Sequence, residues 1–198
     1  MSAGGERAGE FYWDVKELRR RARALMEADA VPGGEGAGRE KVVRLLNTAL
    51  ATELVCALRY RRHHVTARGI HAPAVAEKFL EHAREEQEHA DRIARRIVEL
   101  GGAPDFNPHG LATRSHGEYR EGGDLSTLIR EDLVAERIAI ESYREMIHYV
   151  GARDPASRRI LERVLATEEE HAPELLALLE RLGAREAVAA LAAAGGGG

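Results

Sequence analysis

The sequence predicts an all-α chain. It forms an antiparallel four-helix bundle with one long crossover between its second and third long helices, plus an extra helix ahead of the bundle. Three observations predict this. The composition is dominated by Ala, Leu, Glu and Arg, with only 5% aromatic residues, and these are strong helix formers. Four long segments carry apolar residues at helical spacing and are separated by a short, a long and a short connection. The segments on either side of the long connection repeat one pattern of Glu, Tyr and His.

The elements follow in order. "FYWDVKELRRRARALMEAD", Phe11 to Asp29, reads as an amphipathic helix with a basic face, and "PGGEGAG", Pro32 to Gly38, breaks it. The first long helix spans Arg39 to Arg68 and stops at Gly69. The second opens near Pro73, where a first turn tolerates proline, and runs to Leu100. Residues Gly101 to Gly123 form a connection long enough to travel the length of a helix. Asp124 is a good N-cap for the third long helix, "LSTLIREDLVAERIAIESYREMIHYV". "GARDP" is a tight joint, and the fourth long helix runs from about Pro155 to Leu182. The chain thus divides into an N-terminal extension (1–38), the bundle (39–183) and a short Ala/Gly-rich tail (184–198) that is expected to fray.

Bulk properties narrow the functional classes. At 198 residues, 44% hydrophobic and 31% charged, the chain is long enough to bury a real core. A net charge of −4 argues against a chain built to coat nucleic acid. The basic residues Arg19, Arg20, Arg21 and Arg23 read as a solvated helix face or a subunit contact. A single cysteine, Cys56, excludes an intrachain disulfide and suits a reducing compartment. No apolar signal region or run of ~18 apolar residues is present, so a cytoplasmic location with no membrane partner is expected.

The repeat is where the chemistry lies. Glu53 precedes Tyr60 by seven residues, and Glu136 precedes Tyr143 by seven. Glu53 to Glu86 spans 33 residues, and Glu136 to Glu168 spans 32. Each half therefore reads Glu-x6-Tyr, a connection, then Glu-x-x-His, ending at His89 and His171. On a helix, Glu53 is flanked by Leu46, Ala49, Leu50, Cys56, Ala57 and Tyr60, and Glu136 by Ile129, Leu133, Ala139, Ile140 and Tyr143. A carboxylate in such a stripe needs a cation, a proton or strong hydrogen bonds. Tyr60 and Tyr143 sit on the same faces and are expected to donate to a ligand carboxylate of their own helix or of a neighbour.

Glu-x-x-His places both side chains on one helix face, one turn apart. Near His89 both Glu85 and Glu86 qualify, but Thr167 occupies the equivalent of Glu85 before His171. The repeat therefore selects Glu86, and Glu85 and Glu169 are expected to matter little. A single Glu-x-x-His on a charged helix is ordinarily a solvated pair. Two of them, with two stripe glutamates at matched spacing, point to a shared metal centre. Four carboxylates need the charge of two divalent cations, and a carboxylate–imidazole set suits iron, with manganese as the other candidate. His63, His64, His71, His109 and His116 are scattered and read as surface groups.

The stretches "LNTALATELVCALRY", "EHAREEQEHADRI", "EDLVAERIAIESY" and "TEEEHAPEL" resemble the bacterioferritin and Dps-like (DPSL) branch of the ferritin-like superfamily over residues 39 to 182. The resemblance implies a ferritin-like bundle with two irons per subunit. Glu53 and His89 would serve one, Glu136 and His171 the other, and Glu86 and Glu168 would bridge them. It implies a ferroxidase that oxidises Fe(II) with O2 or H2O2, stores iron and protects against oxidative stress. A rubrerythrin-like peroxidase or a manganese catalase uses the same ligand logic. Departures are specific. Gln87 stands where bacterioferritin has its haem-binding methionine, so no haem is expected. The cysteine pair typical of Dps-like proteins is reduced to Cys56. With no fifth helix expected after the fourth, a homo-oligomeric shell of twelve subunits is favoured over twenty-four.

Overall fold

The computed structural model describes residues 36–69 and 72–195, all within a compact unit that begins at Gly33, with side chains described over 38–69 and 72–183. The expected N-terminal helix over 11–29, its arginines and His71 lie outside the described residues. Five helices are seen there and no strand: α1 Gly36–Thr66, α2 Ala72–Glu99, α3 Leu111–Arg114, α4 Leu125–Val150 and α5 Pro155–Gly195. None is long and apolar enough to cross a membrane.

Two apolar clusters fix the topology. One holds Val42 and Leu46 from the start of α1, Ile97 and Leu100 from the end of α2, Val150 from the end of α4 and Leu161 from the start of α5. The other holds Tyr60 from the end of α1, Val75 and Phe79 from the start of α2, Leu128 from the start of α4 and Leu182 from α5. So α1 is antiparallel to α2, and α4 is antiparallel to α5. The connection between α2 and α4 runs from one end of the bundle to the other. This is the one-crossover connectivity of ferritin-like bundles.

The crossover is fastened along α1 rather than left as an open loop. Asn47 donates to the Ala103 carbonyl (3.1 Å) and accepts from the Asp105 N–H (2.7 Å). Thr52 accepts from the His116 N–H (3.0 Å), and Arg59 donates to the Glu118 carbonyl (3.0 Å). Gly102 is required by contact, since a Cβ there would stand 2.6 Å from a Val43 methyl. Gly122 has φ +92 and brings the strap down onto Leu128. The short α3 sits within this strap.

Helix ends differ from the sequence expectation in three places. α1 begins at Gly36, so part of the expected breaker is helical; the first-turn N–H groups have no helical partners in any case, and glycine there costs little. α1 stops at Thr66 rather than Arg68, and Gly69, at φ +108, turns the chain. α5 does not end at Leu182 but continues through Gly183 to Gly195, because the alanine-rich run that follows is strongly helix-forming and holds no proline. The Asp124 cap forms as expected, accepting from the Thr127 N–H at 2.8 Å. Asp154 caps α5, accepting from the Ser157 N–H (3.1 Å) while holding Arg96 across the bundle (2.9 Å).

Candidate metal centre

Between the two apolar clusters the bundle carries a layer of acids and imidazoles. α1 contributes Glu53, α2 Glu86 and His89, α4 Glu136, and α5 Glu168 and His171. All six are at most 3% exposed. The apolar neighbours that the sequence places around Glu53 and Glu136 are buried with them, which is why these two acids point inward.

The six side chains form two overlapping sets. Ligand atoms of Glu53, Glu86, His89 and Glu168 lie within 4.8 Å of one another, and so do those of Glu86, Glu136, Glu168 and His171. Glu86 and Glu168 belong to both. His89 Nδ1 stands 3.0 Å from Glu53, 3.2 Å from Glu168 and 3.4 Å from Glu86. His171 Nδ1 stands 3.6–3.7 Å from Glu86, Glu136 and Glu168. Both imidazoles thus present the same nitrogen to the acids.

The charges of this layer are not balanced by bonds among its members. Burial, followed by the charge of Glu86, pushes the Glu53 carboxyl up to about 8. Burial, followed by Glu86 and Glu136, also raises Glu168 well above the usual carboxylate range. For Glu86 burial acts upward, but the neighbouring imidazoles of His171 and His89 outweigh it and hold that acid low. Glu136 is lowered against burial by the neighbouring Glu168 and His171. Burial opposes charge on His89, yet Glu168, Glu53 and Glu86 push it up to about 12. His171 is raised by the same kind of contact, with Glu136 foremost. Without metal, these shifts favour the protonated forms of Glu53, Glu168, His89 and His171, the groups that cations would otherwise balance. Glu86 Oε1, both Glu168 oxygens and His171 Nδ1 are buried without a hydrogen-bond partner. Inward-facing oxygen and nitrogen lone pairs, shared by two four-residue sets, fit two divalent cations.

The tyrosines resolve an alternative the sequence leaves open. Tyr143 donates to Glu53 (2.5 Å), and Tyr60 donates to Glu136. Each tyrosine serves the other half of the repeat, so each outer acid is held by a phenol from across the bundle.

Several neighbours differ from the sequence reading. Glu85 is not idle: His171 Nε2 lies 2.8 Å from its carboxylate, a contact between α2 and α5 that intrahelical spacing cannot reveal. Glu169 pairs with Arg144 on the surface (2.8 Å). His63 is not a surface group but fully buried, 2.8 Å from Asp132. Asp132 also accepts from Arg59 Nε (2.8 Å), and the crossover closes the set: the Glu118 carbonyl accepts from Arg59, and the Arg120 carbonyl lies 3.2 Å from His63 Nε2. The signal was present, since Asp132 interrupts the α4 apolar stripe one turn before Glu136. His64 is half-buried, with Nδ1 2.8 Å from the Ala76 carbonyl, and His109 and His116 are exposed. His82, given no role by the sequence, stacks on His171. Cys56 is buried one turn from Glu53, and burial raises its thiol well above the usual range.

Comparison with known proteins agrees with this frame. The ferritin-like domain model matches residues 43–184. A bacterioferritin of Rhodobacter capsulatus is 35% identical over 150 residues, covering 74% of this chain and 89% of that protein. A nutrient stress-induced DNA-binding protein of a Synechococcus strain is 32% identical over 130 residues, covering 64% and 74%. Among solved structures, a dodecameric thioferritin, the bacterioferritin-related protein of Bacteroides fragilis, superposes with a TM-score of 0.74. It is 26% identical and covers 85% of this chain and 98% of that one.

Proposed function

We propose a function from one established premise: the chain belongs to the ferritin-like family. It acts as a ferroxidase, taking two Fe(II) ions as substrate at the layer of six residues and oxidising them with O2 or H2O2. The observation that carries this reading is the pair of overlapping four-residue sets sharing Glu86 and Glu168. Glu53 and His89 hold one ion, Glu136 and His171 the other, and Glu86 and Glu168 bridge them. Bound iron supplies the redox chemistry, each ion yielding one electron to the oxidant.

The chain's own residues prepare the site. Tyr143 and Tyr60 each hold one outer acid, Glu53 and Glu136, which fixes the acid's orientation while leaving lone pairs for metal. Glu85 engages His171 Nε2 and leaves Nδ1 directed at the acids. Loading two divalent ions displaces the protons that balance the metal-free cluster, so affinity rises with pH. The apolar clusters above and below exclude bulk water.

We further propose that the subunits close into a homo-oligomeric shell of twelve, serving iron storage and protection from oxidative stress. The similarity to a dodecameric thioferritin supports this. Haem is not part of the proposal: Gln87 donates to Asp91 at 3.2 Å in an exposed contact and offers no thioether. The test is anaerobic loading with Fe(II), then admission of O2 or H2O2. Fe(III) absorbance should rise in proportion to two ions per chain. Stoichiometric binding of Mn(II) with no Fe(II) oxidation would replace this reading with the manganese one.

A further inference from the structure

The centre has a seventh residue that the repeat does not supply. His82 lies on α2, one turn before Glu85 and Glu86, and is fully buried. Its ring stacks on that of His171, with centroids 3.8 Å apart and planes 14° from parallel. Its Nε2 stands 3.0 Å from the Glu174 carboxylate of α5, and its Nδ1 is buried with no partner. One ring nitrogen of His82 lies within 4.8 Å of both a Glu136 oxygen and a His171 nitrogen.

His82 and His171 are held in the same way. His82 on α2 reaches Glu174 on α5, and His171 on α5 reaches Glu85 on α2 (2.8 Å). Each is followed by its helix's own acid three residues on, so the two His-x-x-Glu pairs cross. In both rings Nε2–H can donate to a carboxylate, so that with a cation at the centre Nδ1 offers its lone pair, the arrangement found in metal-ligating histidines. A buried imidazole lone pair with no donor is costly unless something fills it. Two parallel stacked rings cannot aim their in-plane lone pairs at one ion together, so only one of them ligates at a time. The other half has no such device: Val164 stands at the position the repeat makes equivalent to His82, inside the apolar cluster.

We infer that His82 is a reserve ligand for the Glu136-side ion, able to replace His171, whereas the His89-side ion has no substitute imidazole. This rests on the two-ion reading above and deepens it.

The test uses redox-silent Zn(II) on the full-length protein, with ions per chain counted by equilibrium dialysis and Co(II) absorption reporting nitrogen ligation. Four variants suffice: His89→Ala, His171→Ala, His82→Phe, which keeps a ring on the stack, and His82→Phe combined with His171→Ala. Circular dichroism confirms helicity in each, and His171→Asn substitutes if His171→Ala does not fold. His89→Ala should weaken one ion at least about 10-fold, and His171→Ala no more than about 3-fold with its Co(II) spectrum still showing two nitrogen ligands per pair. His82→Phe alone should hold two ions, and the double variant should lose one. Equal losses in His171→Ala and in the double variant would overturn the reserve role while leaving the two-ion centre standing. A wild-type protein that binds fewer than two ions would overturn both.

Discussion

Two buried charge clusters sit one helical turn apart on α4, and they are built on opposite principles. Around Asp132, charges cancel within the protein: Arg59 and His63 occupy both carboxylate oxygens, carbonyls of the crossover face Arg59 Nη1 and His63 Nε2, and Arg59 Nη2 donates to the Cys56 sulfur. Around Glu136, they do not. Four acids crowd two imidazoles, and four of the seven partnerless buried side-chain atoms among the described residues belong to Glu86, Glu168 and His171. The first cluster is complete and fastens a strap. The second is complete only with cations from outside. Burial of charge alone does not mark a functional site; unspent ligand capacity does.

The comparison predicts that the two clusters fail differently. The largest effect should come from Glu86→Ala with Glu168→Ala. Removing both shared acids should slow Fe(II) oxidation on the order of 1,000-fold while helicity by circular dichroism is retained. Wild-type rates in that folded variant would remove the layer from the chemistry.

Asp132→Ala should do the reverse, costing about 3–5 kcal/mol in urea denaturation because it strands Arg59 in the core. In the metal-free protein, Glu86→Ala should cost far less than that or be stabilising, since it relieves repulsion among buried acids. A milder loss for Asp132→Ala than for Glu86→Ala would invert the assignment of the two clusters.

A third prediction concerns pH. Glu53 and His89 have folded values raised to about 8 and about 12. Groups raised on folding contribute stability that is fully present below their unfolded values, about 4.3 and 6.5, and lost as pH rises through the folded ones. In chelator, the melting temperature should therefore fall from pH ~6 to ~9, and Glu53→Gln should blunt the fall. Saturating Zn(II) should abolish it, because metal replaces the protons. A chelated protein whose melting temperature climbs over that interval, unchanged by Glu53→Gln, would show that protons do not hold the empty layer together.

The smallest contrast is between neighbouring acids. Glu85→Ala should lower affinity for the second ion about 3-fold at most, through loss of its hold on His171, which His82 can replace. Glu169→Ala breaks only an exposed pair with Arg144 and should change stability by about 0.5 kcal/mol or less. Indistinguishable metal titrations for the two would restore the view that only the i−3 acids count.

The sequence by itself determined the four long helices, the order of their connections and the inward faces on which the six residues of the layer lie, because all of these are encoded in local spacing. Apolar period, a capping aspartate and Glu-x-x-His are properties of one helix at a time. The repeat even chose Glu86 over Glu85 as the acid at the centre. What crosses between helices was not legible. Spacing could not say that Tyr143 serves Glu53 and Tyr60 serves Glu136, that His63 is buried against Asp132, or that Glu85 reaches His171. Those pairings depend on the depth and rotation of each helix in the bundle, and many residues far apart in the chain set them jointly. His82 is the sharpest case. Its neighbours along α2 are ordinary, and only the approach of α5, carrying His171 and Glu174, gives its imidazole a carboxylate on one nitrogen and an unfilled lone pair on the other.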